Sequence, residues 1–161
     1  MLISAIVAGV GAGVVLGGDL RRLGTLAVRW WPLLAAAILV RLAGPFVPFA
    51  PLPLYLGSFA AILVVVAGNL RLPGVPLIGV GAALNLAVVS LNGGMPVDLA
   101  AVAAAGSSGP HDPLHFALTA DTRLPWLADV IPLGIVRNVY SVGDLVIAAG
   151  GFWLPFARVR G

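Results

Sequence analysis

The residues best suited to chemistry are Asp129 and Asp144. Two carboxylates placed to share a proton can activate water, one as base and one as acid. Asp129 lies in the broken apolar stretch Asp121-Thr122-Arg123-Leu124-Pro125-Trp126-Leu127-Ala128-Asp129-Val130-Ile131-Pro132. Asp144 lies in Ser141-Val142-Gly143-Asp144, directly before an apolar run. Each has a plainer role. Ser-x-x-Asp at the head of such a run is a capping box, in which two side chains satisfy free N–H groups. Asp129 could cap a turn or pair with Arg123 or Arg137. His111 and His115 have a spacing that suits zinc on a helix, but Pro113 separates them and the chain has no Glu, so no metal site and no cofactor are expected. Arg41 and Asn85 fall in or near apolar runs, where polar groups are costly and point to function. Their plainer readings are an arginine that snorkels to the interface and an asparagine bonded to a neighbouring helix.

The elements that must carry these residues belong to a membrane. Sixty per cent of the 161 residues are hydrophobic and 9% are charged, against about 25% charged in soluble domains. A soluble fold of this length cannot hide so much apolar surface. All nine cations are Arg and all six anions Asp, the net charge is only +3, and no basic run exists, which argues against nucleic-acid binding. The absence of Cys removes disulfides, thiolate metal sites and thiol catalysis. The first apolar run lacks a charged leader and a clean cleavage site, and is read as a retained helix.

The expected fold is all-α: a single integral membrane domain over residues 1–161, a polytopic bundle of about five transmembrane helices. The spans fall near 2–18, 31–43, 54–70, 75–91 and 142–156. Trp30 and Trp31 mark an interface. Pro45, Pro48, Pro51 and Pro53 form a stiff turn, and Asn92-Gly93-Gly94 stops the fourth run. Residues 95–138 form a long outer loop with short interfacial helices, one over Asp98–Ala105 and another after Asp112-Pro113 to about Ala120. Five spans put Arg21, Arg22, Arg29, Arg71, Arg158 and Arg160 on one side. The positive-inside rule makes that side cytoplasmic. The chain is then multi-pass in the inner (plasma) membrane, with its N-terminus outside, residues 95–138 extracytoplasmic and its C-terminus in the cytoplasm. Ala5, Gly9, Gly13 and Gly17 place small residues on one face of the first helix, for packing against a helix of this chain or of another.

Two resemblances follow from these motifs. Asn92-Gly93-Gly94-Met95-Pro96-Val97, the Asp121–Pro132 stretch and Tyr140-Ser141-Val142-Gly143-Asp144 with its apolar helix resemble an uncharacterised family of bacterial polytopic membrane proteins, domain of unknown function 5317. That resemblance implies membrane location and no activity. The C-terminal third is similar to lipoprotein signal peptidase in Asp121 to Arg123, Asp129-Val130-Ile131 and Ser141 to Asp144. It implies that Asp129 and Asp144 are a catalytic dyad. The sequence departs from that family: Ser141 replaces an Asn, and Thr122 separates Asp121 from Arg123.

Three functions fit, in this order. The first is a non-catalytic subunit or scaffold that binds lipid or other membrane subunits through helix faces. The second is an extracytoplasmic hydrolase using Asp129 and Asp144. The third is a small transporter, for which only Arg41, Asn69 and Asn85 could line a path.

Overall fold

The computed structural model describes residues 1–43, 51–109 and 113–161; His111, Pro45 and Pro48 lie outside these. Six α-helices make up most of it: α1 (Leu2–Val15), α2 (Trp31–Ala43), α3 (Pro51–Gly68), α4 (Val75–Asn92), α5 (Leu99–Ala105) and α6 (Val142–Arg160). Three of them, α3, α4 and α6, are long and apolar enough to cross a membrane. Only 28%, 39% and 33% of their residues are buried inside the fold. That leaves apolar side chains such as Val64, Val80 and Trp153 facing outward, as a lipid solvent permits and water does not. With 14 and 13 residues, α1 and α2 reach about 21 and 20 Å at 1.5 Å per residue, short of a hydrocarbon core of about 30 Å.

Several expected boundaries move. Helix α3 begins at Pro51, so Pro51 and Pro53 start the helix where the expectation had a turn. A proline in a first turn sacrifices no intrahelical bond, because those N–H groups have no helical partner. At the other terminus, α6 runs on to Arg160 through Pro155. The larger departure lies between α4 and α6. No helix follows Pro113; His115–Ala117 is instead a strand, β2, paired in parallel with β1 (Met95–Val97). A second pair, β3 (Ile131–Leu133) and β4 (Asn138–Tyr140), is antiparallel. The fold is therefore mostly helical but not all-α. A two-turn helix gains little from so few bonds. The backbone leaving α4 at Gly93 (φ 74°) still has donors and acceptors to satisfy, and these close on β2: Met95 N–H donates to Leu114 O at 2.7 Å and Leu118 N–H to Val97 O at 2.8 Å.

The long helices meet through glycine. Helix α1 lies on α6: a Cβ at Gly9 would strike the Phe152 carbonyl oxygen, and one at Gly13 would sit 2.9 Å from the Val159 Cβ. Gly17 lies beyond the helix with φ 85° and open space around it, so it is not part of that face. Helices α4 and α6 touch at Gly81–Gly143 and again at Gly74–Gly150, where a Cβ on Gly150 would lie 2.5 Å from the Gly74 carbonyl oxygen. The hydrophobic core gathers Tyr55 and Phe59 of α3, Ala82, Val88 and Val89 of α4, Met95 and Leu114.

Arginines collect at one end. Asn69 holds the Arg29 backbone through both its N–H and carbonyl at 2.8 and 2.9 Å. Arg158 Nη2 donates to Thr25 O, and Asp19 N–H donates to Val159 O. This end of α6 is the one remote from Asp144.

Gly9→Ala is expected to cost about 1–3 kcal/mol, because a methyl group must force two helix backbones apart. Gly11→Ala, with nothing within 4 Å of its Cβ, should be neutral. Thermal unfolding of both variants in one detergent checks the difference.

Candidate functional site

Asp144 owes its position to a local motif and a distant one. Locally, Ser141 caps α6. Its Oγ accepts the Asp144 N–H at 3.0 Å, and Asp144 Oδ2 accepts the Ser141 N–H at 3.2 Å, so the capping box read from the sequence is formed. From α4, the buried Asn85 carboxamide reaches the same turn. Its Nδ2 donates to Asp144 Oδ1 at 2.9 Å, and its Oδ1 accepts the Ser141 hydroxyl at 2.9 Å. Any side chain at Gly143 would collide with the Asn85 Oδ1. Capping therefore does not compete with a chemical role for Asp144. Donors meet both of its oxygens, so the fold uses Asp144 as a hydrogen-bond acceptor.

Asp129 is placed by backbone alone. Its N–H donates to Pro96 O at 3.0 Å and its carbonyl accepts the Asp98 N–H at 2.9 Å, which adds Val97–Asp129 as a parallel bridge beside β1. The side chain is only 8% exposed, and its Oδ1 is buried with no hydrogen-bond partner. Neither arginine offered as a partner holds it. Arg137 Nε donates to Gly106 O, and Arg123 is exposed, its backbone N–H and carbonyl clamped by the Asn92 carboxamide at 2.8 and 2.9 Å. Burial first, and the Asp144 charge second, push the Asp129 carboxyl from 3.8 up to about 8.

The two aspartates share space. Two adjoining cavities, of about 300 and 310 Å³, are both lined by Asp129, Asp144 and His115. Val97, Asn138 and Tyr140 line the first; Arg41, Tyr55, Asn85 and Met95 line the second. Arg41 does not snorkel away. Its guanidinium lies 4.2 Å from the centres of both the Tyr55 and Phe59 rings, and Nη2 donates to the Tyr55 hydroxyl at 2.9 Å. The arrangement offers one carboxyl that keeps its proton at neutral pH, one held as an acceptor, and a cation across the cavity.

Other sequence candidates take structural places. Asn92 and Gly93 end α4, a Cβ at Gly94 would press on Leu114, and Asp121 is exposed. Among the described residues no group of three His, Cys, Asp or Glu side chains could hold a metal. Asn69 serves the arginine-rich end and Asn85 the aspartate end, each bonded within the chain. Arg41 and His115 had no sequence signal that tied them to the aspartates. Asn85 had one, a lone carboxamide in an apolar run facing a helix that opens with Ser-x-Gly-Asp.

Comparison with known proteins agrees with the wider of the two resemblances. The profile of a family of unknown function (DUF5317) matches residues 20–156, and the chain belongs to that family. No curated protein and no solved structure matches it.

The raised Asp129 value has a stability consequence whose sign is fixed. The folded chain keeps this proton up to about pH 8, while the unfolded chain releases it near its ordinary value. Stability therefore falls as pH rises from about 4 to about 8. The groups facing Asp129 in this window are Asp144, His115, Tyr140 and Arg41. Asp129→Asn, which cannot ionise, should melt several degrees above wild type at pH 8.5 and match it near pH 4. Equal midpoints at both values would remove the buried-carboxyl reading.

Proposed function

We propose that this member of the DUF5317 family is a membrane-embedded hydrolase in which Asp129 and Asp144 activate water against a carbonyl of a membrane-anchored polypeptide. One observation carries the reading: a proton-bearing carboxyl and an acceptor carboxylate, from segments with no local link, line the same cavity at one end of the helix bundle. Environments that push two carboxyls apart in proton affinity assign acid and base. Asp144 takes a proton from water as the water oxygen adds to the amide carbon. Asp129 gives its proton to the nitrogen as the C–N bond breaks, leaving a carboxylic acid and an amine. The proton on Asp144 then returns to Asp129, and the pair is ready again. The resemblance to lipoprotein signal peptidase read from the sequence at Asp121–Arg123, Asp129–Ile131 and Ser141–Asp144 is itself part of this proposal.

The membrane topology belongs to the same proposal. Helices α1 to α4 and α6 are the five crossings, with the two short ones drawn in by local thinning or snorkelling flanks. The arginine-rich end is cytoplasmic by the positive-inside rule. The N-terminus and the aspartate cavity are then outside, and the substrate arrives from the bilayer or the outer face.

A second reading is a non-catalytic subunit. It is favoured by the exposure of Trp126, Ile135 and Val136 on the segment that joins the strands, apolar side chains able to meet a partner subunit. Gly9 and Gly13 support it less, because α6 of the same chain already covers them.

Asp129→Asn and Asp144→Asn should each lower cleavage of a membrane-anchored reporter peptide by at least about a thousandfold while the proteins accumulate and stay folded at the assay temperature. Asn85→Ala should cost about tenfold by loosening Asp144. Activity should fall above about pH 8 as Asp129 loses its proton. Full activity in either aspartate variant sinks the hydrolase. Genetic complementation by the double Asp→Asn variant, together with a stoichiometric membrane partner, would establish the subunit role.

A further inference from the structure

Arg41 is the group that the hydrolase reading leaves unused. It stands on α2, far in sequence from both aspartates, yet lines the cavity of about 310 Å³ that contains them. Two aromatic faces and the Tyr55 hydroxyl fix its guanidinium. Its Nη1 is buried and has no acceptor. Asp129 lines the same cavity, and its Oδ1 is also buried without a partner. Two residues of one cavity wall thus carry an orphaned donor and an orphaned acceptor that do not meet each other. A buried donor of a charged group left unpaired is costly. A fold that fixes such a group so closely is arranged for an acceptor that arrives from outside.

We propose that Arg41 Nη1 is the donor that binds the substrate's scissile carbonyl oxygen and stabilises the negative charge it acquires when water adds. The assignment rests on the dyad reading and deepens it. As the water oxygen bonds to carbon, the carbonyl π electrons move onto oxygen. That oxyanion sits against a guanidinium whose position costs no reorganisation during the reaction. When the C–N bond breaks, the electrons return and the carbonyl is restored. Asp144 and Arg41 line the same cavity. Both orphaned atoms are closed to water.

The test compares two matched peptides bound to the purified full chain in detergent. One carries a phosphinate at the scissile position, with two oxygens on a tetrahedral centre and a negative charge. The other carries a statine-type secondary hydroxyl, with a single oxygen for the aspartates. Arg41→Gln should weaken the phosphinate by about a hundredfold and the hydroxyl peptide by less than about threefold. Should that variant melt below the assay temperature, Tyr55→Phe decides. It keeps both ring contacts but removes the anchor of Nη2, and should weaken the phosphinate alone, by about three- to tenfold. Equal losses for the two peptides would make Arg41 structural and overturn the inference while leaving the dyad intact. If neither peptide binds wild type, or if binding ignores Asp129→Asn and Asp144→Asn, the dyad reading and the Arg41 assignment fall together.

Discussion

The contact on which the site depends is the one between α4 and α6, where two helix backbones meet without side chains between them. Gly81 and Gly143 leave room for nothing larger. That closeness lets a short carboxamide, Asn85, bridge from one helix to the first turn of the other. A longer gap would leave Asn85 buried and unpaired in an apolar bundle, at a cost few membrane proteins tolerate. The glycines and the asparagine are thus one device. It fixes the N-terminus of α6, engages the Ser141 hydroxyl and holds Asp144 Oδ1, while the Ser141 N–H holds Oδ2.

A second framework, made of backbone, positions Asp129. Three-residue strands and a single bridge look too slight to matter, yet they solve the problem of irregular chain beside a membrane. Every segment there must find its hydrogen bonds within the protein. Strand β1 accepts β2 along one edge and the Asp129 bridge along the other. Asn92 fastens the Arg123 backbone to the end of α4. Because these bonds use main-chain groups, the Asp129 side chain is left with no structural duty. It is buried, next to a second carboxyl, with an oxygen unpaired. Perturbed carboxyls of that kind concentrate where chemistry is done, although ion-pair networks also produce them.

The two ends of the bundle have divided roles. Asn69 at one end and Asn92 at the other each clamp an arginine's backbone through both amide atoms of the side chain. At the Asn69 end the result is a packed corner between the helix termini. At the Asn92 end it is the floor of a segment that carries the cavity. The same interaction serves anchoring in both places, and only the second lies at the end that carries the aspartate cavity.

The sequence by itself determined the long apolar helices able to cross a membrane, the helix edges at Trp31 and at Asn92-Gly93, and the capping box at Ser141–Asp144. Composition, turn residues and caps act over a few neighbours, and such signals survive without knowledge of the fold. It also singled out Asp129, Asp144, Arg41 and Asn85 one by one, because a polar residue among apolar ones is visible in a string of letters. It misjudged the residues after Pro113, where a strand partner outweighed a weak local helix tendency, and the prolines at 51 and 53, whose place in a first turn depends on where the helix begins. Only the tertiary structure decided that these polar residues belong together. A backbone bridge to β1 brings Asp129 to the cavity that Asp144 lines, Asn85 arrives because two glycines coincide, and Arg41 is turned inward by two rings on the next helix. Each of those is a long-range packing event, and no spacing along the chain encodes it.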